Sequence, residues 1–303
     1  MRIRSTPPIA FVALRVATLV STPRSAGAQS CARGARSMDA DFYSACAVSL
    51  GGRVTCWGLD EYRQAWSPPG SFLAVATGMS HTCALKTGGT VICWGGEVPG
   101  YPGQGNFGQT TPPPDSFLAL SAGIFHTCGI RTDGTLACWG DSYYGQTKVP
   151  AGTFTAISAG GYHNCAVRDD RTLACWGANS VGQASPPTGE FLSVSAGWNH
   201  TCGIRVDNTL ACWGSNDRGQ SNAPAGRFRS VSASSCNSAH SCAVQWDGTV
   251  ACWGWGTSGQ TTPPAGTFKS VYAAGYYSCG IRTDDSVACW GPPGYPEPIP
   301  PWL

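Results

Sequence analysis

Residues 191–214 read Phe-Leu-Ser-Val-Ser-Ala-Gly-Trp-Asn-His-Thr-Cys-Gly-Ile-Arg-Val-Asp-Asn-Thr-Leu-Ala-Cys-Trp-Gly. Three short runs suited to β-structure, 191–196, 200–205 and 209–213, are separated by Gly197-Trp198-Asn199 and Val206-Asp207-Asn208. Connections this short make consecutive strands antiparallel neighbours. A three-residue hairpin loop takes its last residue left-handed, which suits Gly or Asn, and here that residue is Asn208. Such a loop sets Cys202 directly opposite Cys212, at an expected Cα separation of about 4.5–5.5 Å, within reach of a disulfide. Side chains alternate along a strand. His200, Cys202 and Ile204 therefore share one face with Cys212, and Trp213 points to the other.

The same unit recurs along the chain. Fourteen cysteines form seven pairs, each ten residues apart: Cys46/Cys56, Cys83/Cys93, Cys128/Cys138, Cys165/Cys175, Cys202/Cys212, Cys242/Cys252 and Cys279/Cys289. Their first members are spaced 37, 45, 37, 37, 40 and 37 residues apart. The unit is thus 37 residues, with an insertion around Gly100–Gly105 and a smaller one around Cys236. The left-handed turn position holds Gly52, Gly89, Gly134, Arg171, Asn208, Gly248 and Asp285, with Arg171 the misfit. Each pair ends in Cys-Trp-Gly: Trp57, Trp94, Trp139, Trp176, Trp213, Trp253 and Trp290. A cystine on one sheet face and a tryptophan on the other require a neighbour on both sides, so seven units should close into a ring. The expected fold is all-β, a seven-bladed β-propeller with about three strands and one hairpin disulfide per blade. Residues near Ala35 to Ala40 should supply the first strand of blade 1.

The recurring pattern Gly-x-x-His-x-Cys-Ala/Gly, then Asp-Gly-Thr, Trp-Gly and Gly-Gln resembles the regulator of chromosome condensation repeat family. The resemblance extends over about Ala35 to Gly291. Its short unit is most similar to the bacterial branch that contains β-lactamase inhibitor protein II, and implies a propeller with three strands per blade. It says little about function, because the fold serves unrelated partners. The repeat ends depart from the pattern: Ser44 and Tyr277 stand in place of histidine in repeats 1 and 7.

Composition bounds the biology. Residues 1–28 have a basic start at Arg2 and Arg4, a mostly apolar run from Pro8 to Val20 and small residues at Ala26-Gly27-Ala28, the layout of a cleaved export signal. Residues 29–303 are then a single propeller domain. Loss of four arginines with the leader leaves 15 basic residues against 17 acidic, with no basic run. Nucleic acid is therefore a poor partner. No other stretch is apolar for long enough to span a bilayer. Sixteen cysteines with an export signal indicate a secreted, periplasmic or cell-surface protein, and their spacing does not suit a metal. The chain is expected to be a monomer without a cofactor.

All five histidines, His81, His126, His163, His200 and His240, sit two residues before the first cysteine of a pair. A residue repeated with the period of the fold is expected to be structural, here bonding backbone near the first turn of each blade. Asp133, Asp170, Asp207, Asp247 and Asp284 fit turn chemistry. Gln64, Gln109, Gln146, Gln183, Gln220 and Gln260 are expected to satisfy loop backbone. No nucleophile elbow, phosphate loop or zinc-helix motif is present, so nothing in the sequence argues for catalysis. The first turns are different: they place Phe42, Tyr43, Met79, Phe125, Tyr162, Trp198 and Tyr276 on one rim. Large apolar side chains in turns either pack or bind. The expected function is a non-catalytic scaffold binding a protein or glycan on that rim. An inhibitor of a secreted enzyme, as the resemblance suggests, and a propeller glycan lyase or hydrolase are the alternatives. Cys31 and Cys236 fall outside the seven pairs, at opposite rims, and a bridge between them is not expected.

Overall fold

The computed structural model describes residues 34–42, 44–96, 105–235 and 239–293. Its strands form seven antiparallel three-stranded sheets, each made of consecutive strands. Blade 1 is β1 (Ala35–Asp41), β2 (Ser44–Ser49) and β3 (Val54–Gly58); blade 2 is β4 (Phe72–Thr77), β5 (His81–Lys86) and β6 (Val91–Gly95). Blade 3 is β7 (Phe117–Ala122), β8 (His126–Arg131) and β9 (Leu136–Gly140); blade 4 is β10 (Phe154–Ala159), β11 (His163–Arg168) and β12 (Leu173–Gly177). Blade 5 is β13 (Phe191–Ala196), β14 (His200–Arg205) and β15 (Leu210–Gly214); blade 6 is β16 (Phe228–Ala233), β17 (His240–Gln245) and β18 (Val250–Gly254). Blade 7 is β19 (Phe268–Ala273), β20 (Ser278–Arg282) and β21 (Val287–Trp290). The expected leader, residues 1–28, lies outside the described residues, as do Cys31, Tyr43 and Cys236.

The hairpin between the second and third strands has the geometry its sequence implies. Lys86 N–H donates to Thr90 O and Gly89 N–H to Lys86 O, closing a three-residue loop. The last loop residue is left-handed in all seven blades, Arg171 included at φ 67°. All seven expected disulfides form between directly opposed residues: Cys46–Cys56, Cys83–Cys93, Cys128–Cys138, Cys165–Cys175, Cys202–Cys212, Cys242–Cys252 and Cys279–Cys289.

One detail of these bridges corrects the sequence reading. Their Cα separations are 4.0–4.1 Å, below the expected range. Counting outward from the bonded Lys86–Thr90 pair, Cys83 and Cys93 fall at a non-bonded position of the ladder, where strands come closest. The two cysteines of a bridge also differ in burial. Cys46, Cys83, Cys128, Cys165, Cys202, Cys242 and Cys279 lie on middle strands and are fully buried. Their mates Cys56, Cys93, Cys138, Cys175, Cys212, Cys252 and Cys289 lie on the third, edge strands and are only partly buried.

Blades stack through one repeated interface. The cystine face of blade 2 (Cys83, Leu85, Cys93) receives Phe117 and Trp139 of blade 3. That of blade 1 (Cys46, Val48, Cys56) receives Phe72 and Trp94 of blade 2. The phenylalanine opening each first strand from blade 2 onward is at most 3% exposed. Burying a side chain of this size contributes roughly 2–3 kcal/mol, so six such residues form the principal apolar glue.

The seventh interface closes the ring. In blades 2 to 7 the opening N–H of the first strand donates to the left-handed turn carbonyl of the preceding blade, as in Phe191 N–H to Arg171 O (2.8 Å). Ala35 N–H of blade 1 makes the same bond to Asp285 O of blade 7, at 2.9 Å. Ala35, Met38 and Trp57 of blade 1 pack with Ala274, Tyr277 and Ile281 of blade 7. The molecule is a seven-bladed β-propeller, and β1 is the expected first strand, paired to β2 from Ala35 to Asp41.

Candidate binding face

The five histidines join blades. His81, His126, His163, His200 and His240 are at most 1% exposed, and each Nε2 meets a polar side chain of the next blade. The partners are Thr127 (2.7 Å), Asn164 (2.8 Å), Thr201 (2.7 Å), Ser241 (2.9 Å) and Ser278 (2.9 Å). The expected backbone partner is thus replaced by the residue that follows the histidine position one blade on. Thr201 Oγ1 donates onward to Gln183 O (2.9 Å), and Trp213 Nε1 donates to the same carbonyl (3.0 Å). Because the threonine proton is committed to that carbonyl, the histidine proton must sit on Nε2 and donate. Nδ1 is left as a bare acceptor, and those of His81, His126 and His163 have no partner. Burial lowers the imidazole pKa to about 3 in His81, His163 and His200 and to about 4 in His126. These rings are neutral structural links. Among the described residues no three or more His, Cys, Asp or Glu side chains converge in a way that could hold a metal.

The glutamines do what their register suggests. Gln183 Oε1 accepts Val181 N–H, and Gln64, Gln109, Gln146, Gln220 and Gln260 each accept the N–H two residues earlier. Each backbone carbonyl then receives the tryptophan of the next blade, as Gln64 O receives Trp94 (2.9 Å). Trp57 of blade 1 has no glutamine before it in register, and its buried Nε1 is unpartnered.

The first turns and the start of each inter-blade loop share one end of the ring, because the first strand runs toward it and the third strand ends there. The residues expected on this rim occupy two adjacent positions, not one. Phe42, Met79 and Trp198 hold the first; Phe125, Tyr162 and Tyr276 hold the second. All six are half-buried. Ile124, at the first position of blade 3, is fully buried and lies close to Gly161 of the next blade's turn. In blade 3, then, the first position turns inward while Phe125 in the second remains accessible.

The rim gains a second tier from the loops, which sequence reasoning passed over. Phe107 packs on Phe125 (5.2 Å between centroids), and Tyr144 packs on both Tyr143 (4.8 Å) and Tyr162 (5.3 Å). Tyr162 meets Trp198 edge to face at 5.6 Å. Beyond Trp198 a cleft of about 230 Å³ opens, lined by Asn199, Ser215, Asp217 and Arg218. Arg218 in turn lies 5.1 Å over Trp255, which packs on Tyr276 (5.8 Å). Aromatic side chains thus line this end from blade 3 to blade 7 in three clusters, Phe107 with Phe125, Tyr143 through Trp198, and Trp255 with Tyr276, the last two separated by Asp217 and Arg218. Tyr143 is 83% exposed and Phe107 53%. The signal for this tier was available: the residue two before each loop glutamine varies as Tyr62, Phe107, Tyr144, Val181, Arg218 and Ser258. Burial, with Tyr144 and Asp141 nearby, raises the Tyr162 pKa, so its hydroxyl stays protonated at neutral pH.

Carboxylates appear in two other settings. The turn aspartates, such as Asp207, bond Thr209 through both backbone N–H and hydroxyl, which lowers their pKa. On β1, burial raises Asp39 to about 7 and Asp41 to about 6. Asp39 accepts Thr77 N–H of blade 2 (2.9 Å), the bond that Ser121, Ser158, Ser195 and Ser232 make in later blades. Asp41 accepts Phe42 N–H and the Ser235 hydroxyl of blade 6.

The regulator of chromosome condensation (RCC1) repeat model matches residues 72–98, 117–146, 154–183 and 191–220, which are blades 2 to 5 with their following loops. Four of the seven blades match the regulator of chromosome condensation repeat. None of the curated proteins matches it in sequence. Among solved structures it is similar to the CRINKLY WD40 ectodomain of the Arabidopsis thaliana receptor kinase ACR4, with 25% identity over 87% of this chain and 96% of that one and a TM-score of 0.72. The ectodomain of the Physcomitrella patens receptor kinase CR4 is 24% identical over 86% of this chain and 74% of its own, with a TM-score of 0.70. Prp20p from Saccharomyces cerevisiae is 17% identical over 84% and 82%, with a TM-score of 0.66, and shares the fold. The marks of the condensation repeat, His, Trp-Gly and Gly-Gln, are the parts of the inter-blade relay. The aromatic positions of the rim fall between those marks.

Proposed function

We propose that this protein is a non-catalytic binding scaffold of an oxidising, extracytoplasmic compartment that takes a protein partner on the aromatic rim of blades 3 to 7. Seven disulfides and the likeness to a receptor-kinase ectodomain support the compartment. Residues 1–28 would be the export signal, and the mature chain would act as a monomer. No helix among the described residues is long and apolar enough to cross a membrane. The observation that carries the reading is the run of ring contacts at the centre of this rim. Its rings touch from Tyr143 through Trp198, in registers whose identity changes from blade to blade while the relay stays constant. Rigid, half-buried aromatic side chains beside an arginine are the usual anchors of protein interfaces. Clusters spanning five blades suit a protein surface better than a single small ligand.

The test is the double variant Tyr162→Ala/Trp198→Ala against a partner captured by the mature domain from the extracytoplasmic fraction. Truncating such anchors typically costs about 2 kcal/mol or more of binding. The lost edge-to-face contact is worth about 1 kcal/mol of stability and a few degrees of melting temperature. Unchanged affinity, or melting lowered by well over ten degrees (about 3 kcal/mol or more), would sink the reading.

A further inference from the structure

Repeat symmetry separates what the fold needs from what it does not, and the loop joining blades 1 and 2 breaks that symmetry at Arg63 and Trp66, beside a third residue, Asp60, at a position that varies between loops. The position before the loop glutamine is Gly108, Gly145, Gly182, Gly219 and Gly259 elsewhere, all left-handed. Here it is Arg63, held left-handed at φ 58° despite its side chain. The position two after the glutamine is Thr111, Lys148, Ser185, Asn222 and Thr262 elsewhere, and here it is Trp66. The position four before the glutamine is Asn179 in one loop and Asn216 in another, whose amides donate to Ser185 (2.9 Å) and Asn222 (2.8 Å). Here it is Asp60, which keeps the backbone bond from Ala65 N–H (2.7 Å) but has no amide to give, and Trp66 has nothing to receive it.

Asp60, Arg63 and Trp66 line one cleft of about 390 Å³ at the end of β6, together with Trp94 and Gly95. None of the described rim residues borders it. Trp66 is 54% exposed and stands edge to face with Trp94, 6.2 Å between centroids. Asp60 and Arg63 are exposed and do not pair with each other. The Arg63 guanidinium has no hydrogen bond or ion pair among the described residues.

An indole plate flanked by an unpaired carboxylate and an unpaired guanidinium restricts what fits. A simple anion meets Asp60, and a simple cation meets Arg63. A wholly apolar ligand would strip water from both charges without replacing their hydrogen bonds. A neutral polyhydroxylated ring answers all three groups. Its C–H face covers the indole, one hydroxyl donates to the free oxygen of Asp60, and another accepts from the planar fork of Arg63. We infer that the loop between blades 1 and 2 is a glycan-binding subsite, in which one neutral sugar residue lies on Trp66 between Asp60 and Arg63. This site lies at the same end of the ring as the rim, is lined by other residues, and does not depend on the rim's role.

The experiment probes the full mature chain with an array of neutral oligosaccharides, followed by calorimetric titration of the retained oligosaccharide against Trp66→Ala and Arg63→Gly. Arg63→Gly installs the residue that five other loops use, so its melting temperature should hold or rise. Both variants should lose at least about tenfold in affinity, as expected for an anchor residue. The inference is overturned if no neutral oligosaccharide binds at concentrations up to about 10 mM, a limit near 3 kcal/mol of binding free energy. It is equally overturned if binding survives both variants, if it is lost instead in Tyr162→Ala/Trp198→Ala, or if Arg63→Gly melts earlier than the parent.

Discussion

Replacing Thr201 with valine tests the inter-blade relay at one joint. Valine keeps the β-branched shape and nearly the volume of threonine, so packing of this fully buried side chain should change little. What goes is one hydroxyl that accepts His163 Nε2–H at 2.7 Å and donates to Gln183 O at 2.9 Å. Gln183 O retains Trp213 Nε1. His163 retains nothing on its ring, because Nδ1 already lacks a partner. The cost is one net hydrogen bond, about 1 kcal/mol, plus the desolvation of an orphaned buried N–H, about 1–3 kcal/mol. Allowing for partial relaxation, the variant should lose about 2–3 kcal/mol. Thr201→Ser keeps the hydroxyl and gives up one methyl group, about 1 kcal/mol. Equilibrium denaturant unfolding under non-reducing conditions measures both. A valine variant within about 0.5 kcal/mol of the parent, or a serine variant as damaged as the valine one, would refute the relay as a source of stability.

Two further outcomes follow from the same geometry. His81, His126, His163 and His200 have folded pKa values near 3 to 4, below the ordinary 6.5, so their contribution is whole above pH 6.5 and is lost as pH falls toward 4. Asp39 and Asp41, raised to about 7 and about 6, act oppositely: their contribution is whole below the ordinary 3.8 and is lost as pH rises through 6 to 7. Between pH 7 and pH 5 the four histidines lose part of their contribution and the two aspartates regain part of theirs, so with four groups against two the balance is a loss of stability. Denaturant midpoints at the two pH values check this, and equal or higher stability at pH 5 contradicts it. Arg171→Gly should raise stability by up to about 1 kcal/mol, because the left-handed penalty exceeds the flexibility glycine adds to the unfolded chain. Its ion pair with Glu190, 4.0 Å long and exposed at both ends, adds little to oppose this. A lower melting temperature for this variant would show that Arg171 makes a contact worth more than the strain.

The fold was legible because its rules are local. Ten-residue spacing, a three-residue turn and alternating faces all act within one hairpin, and Cys202, Cys212 and Trp213 could be placed from them alone. Ring closure needed only the count of blades and the need to bury both sheet faces. The histidine partners were harder, because His163 and Thr201 lie 38 residues apart and meet only through the curvature of the ring. A trace was still present: the residue after each histidine position is Thr82, Thr127, Asn164, Thr201, Ser241 or Ser278, always polar, and Ala45 in blade 1. That one exception faces Tyr277, whose phenol donates past it to Ser44 O at 2.9 Å. The rim was half legible. Aromatic turn residues marked the correct end, but which positions turn inward, as Ile124 does, depends on how tightly turns converge at the axis. The packing of the loop tier, Phe107, Tyr144 and Trp255, was not legible, because each of these residues meets the turn of the following blade only through the curvature of the ring.

Every described disulfide closes inside a single blade, and what joins blade to blade is non-covalent. Each thiol therefore finds its mate ten residues away, within its own hairpin, without waiting for the rest of the chain. A wrong bond would have to reach a cysteine of another blade, and the ten-residue native spacing gives the correct mate the advantage of the shorter loop. The same arrangement makes the unit portable in evolution. A duplicated or deleted 37-residue segment brings or removes both members of its cystine pair, so the number of blades can drift between descendants without stranding a reactive cysteine.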